Sequence, residues 1–235
     1  MRGAVFDLDG TLADTSADLI AGANAALAEV GARGRLDLQA DAGLSGRGGR
    51  AMLRTGFARS GLAEAEIEAA VEAALAPFFA AYESRIADAS VLFPGVEAAL
   101  DAIEGAGWRL AVCTNKPERL ARILLAELRL LDRFGAVVGA DTLPVRKPDP
   151  RPFVHAAKGA GALAARSVMI GDTATDRETA RAAGAPAVLM DLGVSADDVH
   201  ALGAERVLRG YAELPAALEA LIAASIDVGD AGGSA

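Results

Sequence analysis

A chain of 235 residues, 52% hydrophobic and 23% charged, has the composition of a globular protein large enough for one full core and a smaller second module. Its 32 acidic against 23 basic residues leave a formal net charge of -9, which excludes nucleic-acid binding through a broad basic surface. Cys113 stands alone, the apolar run at residues 4–6 is too short for a signal peptide, and no run approaches the ~20 apolar residues of a membrane span. The sequence thus predicts a soluble cytoplasmic protein, monomer or homodimer, with no membrane or nucleic-acid partner.

In chain order, the first predicted element is a short strand at 4–6 that runs into Asp7. Residues 14–88 then show helical periodicity without a convincing strand, as in Leu19, Ile20, Ala23, Leu27 and Val30 before Gly31. A long helical pattern over 63–86 carries Pro77, where a break is expected. Beyond it, strand and helix alternate. A helix starts near Pro94-Gly95 and stops at Gly105 or Gly107, and a strand over 108–113 ends at Thr114. A helix begins at Pro117 and continues past Leu128, followed by a strand at 136–138 and a helix after Pro150. A strand over 167–170 ends at Gly171-Asp172, a helix spans about 175–184, and further strands are expected at 187–190 and 206–208. Residues 227–235 read as a loose tail.

Short apolar strands alternating with helices predict an α/β fold with a parallel sheet. Ligands of such sheets bind outside the carboxyl ends of the strands, where Asp7, Thr114 and Asp172 would converge. The domain reading is an α/β core of 1–13 and 89–226, an all-helical insertion of 14–88 beside the site, and the tail.

Asp7-Leu8-Asp9-Gly10-Thr11 is the strongest local signal. In a regular strand the two carboxylates would point to opposite faces, but a turn at Gly10 lets both face one site. One is then a nucleophile and the other a proton donor and acceptor; a turn or helix cap is the plainer alternative. Asp172 and Asp176, at i, i+4 after a strand, would complete with Asp7 an oxygen-rich site suited to Mg²⁺, or equally be acidic residues at a helix start. Lys147 lies in Arg146-Lys147-Pro148-Asp149-Pro150, where two prolines could hold one ammonium towards a phosphate. Thr114 and Asn115 could bind phosphate oxygens through hydroxyl and backbone N–H groups, or form a capped turn. Cys113 reads as strand packing.

Together, Asp7-Leu8-Asp9-Gly10-Thr11, Thr114, Lys147 and Gly171-Asp172 with Asp176 resemble the four ordered motifs of the haloacid dehalogenase-like hydrolases, over almost the whole chain. Phe93-Pro94-Gly95, Thr114-Asn115-Lys116-Pro117 and Lys147-Pro148-Asp149-Pro150 are most similar to its phosphoglycolate phosphatase branch. The resemblance implies a Rossmann-like core with a helical cap. It implies that Asp7 attacks phosphorus to form an aspartyl-phosphate while Asp9 protonates the leaving alkoxide and later deprotonates water. Asp7, the backbone carbonyl of Asp9, and Asp172 would hold Mg²⁺, and Thr114 and Lys147 would bind the phosphoryl oxygens. Asp176 would sit beside Lys147 or in the outer shell of the metal. Thr173 and Thr175 stand where relatives often carry Ser and Asn.

The insertion narrows the substrate. It holds no lysine and no histidine, since the chain has only Lys116, Lys147, Lys158, His155 and His200. Within the resemblance, this disfavours a phosphonate-cleaving enzyme and a sugar-phosphate mutase, and Asp9 disfavours a dehalogenase. Arg47, Arg50 and Arg54 fall near one helix face, either as a solvated basic face or, Arg47 above all, as a bidentate partner for a substrate carboxylate. The reading is a phosphomonoester hydrolase for a small phosphorylated acid, with 2-phosphoglycolate as best guess. The alternatives are a phosphatase for sugar phosphates, nucleotides or pyrophosphate, and a non-catalytic binding or regulatory protein on the same fold.

Overall fold

The computed structural model describes residues 1–195 and 197–230, without side-chain detail for 225–230. β1 (Gly3–Phe6) is the first strand, followed by the two-residue β2 (Ala13–Asp14). The insertion then builds α1 (Ser16–Glu29), α2 (Leu38–Asp41), a 3-10 turn at Ala42–Arg47, α3 (Gly48–Arg59) and α4 (Glu64–Glu83). The chain returns through β3 (Val91–Leu92) and continues as α5 (Val96–Gly105), β4 (Arg109–Cys113), α6 (Glu118–Glu127) and β5 (Ala136–Val138). The last part holds α7 (Pro150–Gly159), β6 (Ser167–Gly171), α8 (Ala174–Ala183), β7 (Ala187–Met190), β8 (Arg206–Leu208) and α9 (Leu214–Asp230).

Six strands pair in the order β5-β4-β1-β6-β7-β8, every pair parallel. From β1 the chain builds outward to one side, through β4 and β5, then crosses back to β6 on the other. The order of strands therefore reverses around β1, the position at which an open parallel sheet leaves a crevice at its carboxyl edge. Asp7, Thr114 and Asp172 each follow directly on one of the three central strands. This is the Rossmann-like α/β architecture the sequence implies.

Period-two alternation divides the core. Ala4, Phe6 and Val112 face the side that holds Leu100, Leu124, Leu214 and Leu218, whereas Val5, Ala111 and Cys113 face Phe153, Ala157 and Ala180. The first cluster runs without a break into the insertion, through Leu19, Leu27, Met52, Phe57 and Tyr82. Apolar packing thus joins the insertion to the sheet rather than leaving it hung on linkers.

The structure changes four expectations. Helix α4 passes straight through Pro77. A proline costs one backbone hydrogen bond and strains the preceding turn, but Ile67, Val71, Ala74, Phe78 and Tyr82 are all buried on one face, and their burial outweighs it. Helix α6 stops at Glu127, before Leu128, because Arg129 takes a left-handed φ of 59°. The crossings into and out of the insertion form an antiparallel ladder, Ala13 with Leu92 and Asp14 with Val91, which two-residue strands gave no pattern to reveal. The ladder is reinforced by Asp18, whose buried carboxylate accepts from Ala89 N at 3.0 Å, Ser90 N at 2.8 Å and Ser90 Oγ at 2.7 Å. Of the expected loose tail, residues 227–230 continue α9 and 231–235 lie outside the described residues.

Candidate active site

Leaving β1, Asp7 N still donates to Ile170 O at 2.8 Å, so the strand order carries one residue further and fixes the Asp7 backbone. Gly10 then takes φ 81°. A side chain here would strain the backbone and put a Cβ 2.5 Å from Asp172 Oδ2. Only glycine lets the turn pass this close to the opposing carboxylate. Thr11 Oγ1 donates to Asp172 Oδ1 at 2.8 Å, and the Tyr211 hydroxyl donates to the Thr11 carbonyl. The turn and the loop after β6 are thus tied together.

Carboxylate oxygens of Asp7, Asp172 and Asp176 lie within 4.8 Å of one another, all buried. Among them, Lys147 Nζ donates to Asp176 Oδ1 at 2.6 Å and stands 3.0 Å from Asp7 Oδ2. Burial disfavours the ammonium, but Asp176 and Asp7 outweigh it and hold Lys147 above the ordinary lysine range. Asp176 Oδ2 accepts from Asp172 N at 3.2 Å, Thr173 N at 3.1 Å and Thr173 Oγ1 at 2.7 Å. Both its oxygens are therefore committed, and it works as a brace beside Lys147.

Asp172 differs. Its Oδ1 accepts from Thr11, while its Oδ2 is buried without a hydrogen-bond partner among the described residues. Burial first, then the charges of Asp176 and Asp7, hold it well above the usual carboxylate range. Burial likewise pushes Asp7 up to about 6, against the pull of Lys147 and with the push of Asp176. An orphaned anionic oxygen in an all-oxygen cluster with one protein cation fits a hard divalent metal. Asp7 and Asp172 could hold it.

Asp9 points elsewhere. Its Oδ1 accepts from Thr15 Oγ1 at 2.7 Å, and Lys116 Nζ donates to Oδ1 at 2.8 Å and Oδ2 at 2.9 Å. Lys116 is 7% exposed, and the attraction of Asp9 overcomes the burial that would lower its pKa. The sequence reading cited Lys116 only as part of a motif. Its scarcity, one of three lysines in the chain, was the available signal.

Thr114 sits at the end of β4, 3% exposed, its backbone N bonded to Val138 O at 2.9 Å and its Oγ1 accepting from Lys116 N at 3.2 Å. The Asn115 side chain donates from Nδ2 to the carbonyl of Lys147 at 3.1 Å, so it anchors the lysine loop. Cys113 packs under the site, fully buried, its thiol pushed up to about 12 by that burial.

Asp7, Asp9, Thr114, Asn115 and Lys147 line one cavity of about 660 Å³ with Lys116, Arg47, Arg50 and an apolar wall that includes Phe78, Phe79 and Tyr82 of α4. The insertion forms one wall of this cavity. A Cβ on Gly46 would lie 3.0 Å from Thr173 Cγ2, so the 3-10 turn rests on the loop after β6. Arg47 Nη2 donates to Asp197 Oδ1 at 2.9 Å, and Asp197 Oδ2 accepts from Ala174 N at 2.8 Å. The other two arginines are engaged within the insertion, Arg50 with Glu68 and Glu72 and Arg54 with Glu64 and Glu68.

Residues 1–184 match the family model of the haloacid dehalogenase-like hydrolases. The phosphoglycolate phosphatase of Caulobacter vibrioides is 41% identical over 92% of this chain and 90% of its own length. That of Rhodospirillum rubrum is 42% identical over 91% of this chain and 89% of its own. A solved structure from Haemophilus somnus, a predicted phosphoglycolate phosphatase, shares the fold with a TM-score of 0.78 at 24% identity, covering 91% of this chain and 96% of that one.

Proposed function

The chain belongs to the haloacid dehalogenase-like hydrolases, and from that premise we propose a cytoplasmic, Mg²⁺-dependent phosphomonoester hydrolase whose best substrate is 2-phosphoglycolate. The observation that carries the reading is the buried cluster of Asp7, Asp172 and Asp176 around Lys147, at the edge of a cavity between the sheet and the insertion. The likeness to phosphoglycolate phosphatases over nine-tenths of the chain supports the substrate.

In the first step the Asp7 carboxylate bonds to phosphorus, the ester P–O bond breaks, and Asp9 gives its proton to the departing oxygen. In the second, Asp9 takes a proton from water, whose oxygen bonds to phosphorus while the Asp7 carboxylate departs and phosphate is released. Lys147 and Thr114 bind the phosphoryl oxygens, and Asn115, through the Lys147 carbonyl, holds that lysine in place. Asp176, Gly10 and Thr11 support the site without touching substrate. Asp7, Asp172 and the Asp9 carbonyl would hold Mg²⁺, which when bound draws charge from the phosphoryl oxygens. Arg47 ties the insertion to the loop after β7 through Asp197.

A panel of phosphomonoesters tests this assignment by kcat/KM. 2-Phosphoglycolate is expected to lead; the size of the cavity is the one observation that favours a larger ester, and a sugar phosphate or nucleotide in first place would establish that second reading. Arg47→Ala is expected to raise KM alike for every ester, by less than about tenfold, since the pair is half exposed. A loss confined to acid esters would instead place Arg47 on the substrate.

The metal has its own test. The folded metal-free protein holds the Asp7 proton up to about pH 6, whereas the unfolded chain releases it near 3.8. Because the pKa is raised on folding, the stabilising contribution is complete below the unfolded value and lost as pH rises through about 6. Mg²⁺ binds the ionised carboxylates and restores what is lost. Thermal denaturation should show Mg²⁺ raising Tm at pH 7.5, by an amount equivalent to about 2.7 kcal/mol at a hundredfold excess over Kd. The gain shrinks at pH 5, and an equal Tm with Mg²⁺ and with chelator at pH 7.5 would remove the metal from the site.

A further inference from the structure

We infer that Lys116 and Tyr82 form the subsite that reads the acid group of the substrate, with Lys116 exchanging the carboxylate of Asp9 for that of the substrate. This deepens the reading of the cavity as a phosphatase site for a small phosphorylated acid and rests on it.

Three observations converge. Lys116 is a buried ammonium that lines the cavity, and its charge faces the carboxylate of Asp9. Tyr82, from α4 of the insertion, lines the same cavity 4.4 Å beneath that ammonium. Its hydroxyl is buried and makes no hydrogen bond of ordinary geometry to any described residue. A buried hydroxyl without a partner costs stability, so a position that keeps one at a cavity wall suits a ligand that completes it.

Distance sets the size of that ligand. Asp9 serves the ester oxygen, so its carboxylate lies against that atom, and Lys116 Nζ is 2.8 and 2.9 Å from its two oxygens. Two successive contacts of this length keep the ammonium within about 5–6 Å of the ester oxygen. A carboxylate one carbon removed from the ester oxygen reaches that far. The acid then receives the buried ammonium and the Tyr82 hydroxyl together, whereas Arg47 offers a half-exposed guanidinium already bonded to Asp197. The exchange also frees the Asp9 oxygens from Lys116. A neutral ester leaves Lys116 on Asp9, so discrimination falls on kcat as well as on KM.

The experiment measures kcat and KM of the full-length enzyme on 2-phosphoglycolate and on its neutral isostere, 2-phosphoglycolamide. Wild type is expected to prefer the acid by at least about 100-fold in kcat/KM. Tyr82→Phe narrows that preference by about tenfold, the value of one hydrogen bond to a charged group, and leaves Tm close to that of wild type because no hydrogen bond of ordinary geometry to a described residue is lost. Lys116→Gln narrows it by about 100-fold, with the loss concentrated on the acid. If wild type shows no preference for the acid, the substrate reading itself falls. A wild-type preference that persists in both variants overturns the subsite alone. Equal losses on the two substrates would confine both residues to holding Asp9, and overturn it too.

Discussion

Asp7→Asn is expected to abolish turnover, with kcat down at least about 10⁴-fold on every phosphate ester. The amide cannot form the aspartyl-phosphate, and its buried neighbours are engaged: Asp172 by Thr11 through one oxygen and by the proposed metal through the other, Asp176 by Lys147 and its own loop through both. The fold should survive. Asp7 Oδ1 accepts from Leu8 N at 2.7 Å while Oδ2 faces Lys147 at 3.0 Å, so the amide must give up one of these two contacts. That costs about 1–2 kcal/mol, partly offset by the removal of one of three crowded carboxylates. Single-turnover kinetics with mass spectrometry of the acid-quenched protein check the assignment. The phosphorylated species should form in wild type and be absent from the variant, and residual kcat above about 1% of wild type would sink Asp7 as nucleophile.

Lys147→Met should damage both stability and rate, and for one reason. Lys147 is 3% exposed and is the protein cation shared by Asp7 and Asp176. Removing it leaves three buried carboxylates within 4.8 Å with no side-chain counter-charge. Breaking a buried pair in this way costs about 3–5 kcal/mol, and kcat/KM should fall by about 10³-fold or more as the phosphoryl oxygens lose their ammonium. Denaturant unfolding distinguishes this origin from a simple cavity. The stability deficit should shrink at pH 5, where raised carboxylates take up protons, and shrink again at neutral pH with Mg²⁺. A deficit of the same size under all three conditions would mean that packing, not charge, was lost.

The catalytic edge was legible because each of its residues closes an apolar strand: Phe6 before Asp7, Cys113 before Thr114, Gly171 before Asp172. Chain-local pattern fixes where a strand ends, and a parallel sheet brings those ends to one edge. What stayed hidden depends on partners far along the chain. Lys116 meets Asp9 across 107 residues, and Tyr211 reaches the Thr11 carbonyl across 200. No periodicity encodes such pairs. The course of α4 through Pro77 was hidden for another reason, since the penalty of a proline is local and the burial that overrides it is tertiary. Arg47 stands in the 3-10 turn before α3 and pairs with Asp197, whereas Arg50 and Arg54 turn to acidic side chains of α4 that became neighbours only once α3 and α4 had packed.

The ladder of β2 with β3 brings Asp14 and Val91 opposite each other. The chain therefore leaves the sheet and returns to it at a single point, like a loop closed at its neck, and the ladder with its Asp18 clamp holds that closure. Closure entropy grows only as the logarithm of loop length, so lengthening the insertion at its exposed turns adds little to the cost of closing it as long as the neck holds. The ladders on either side of β1 are made with β4 and β6 and with no strand of the insertion. The neck thus divides the cavity's lining, with Arg47, Phe78 and Tyr82 on the side that can change length and Asp7, Thr114 and Lys147 on the side of the sheet.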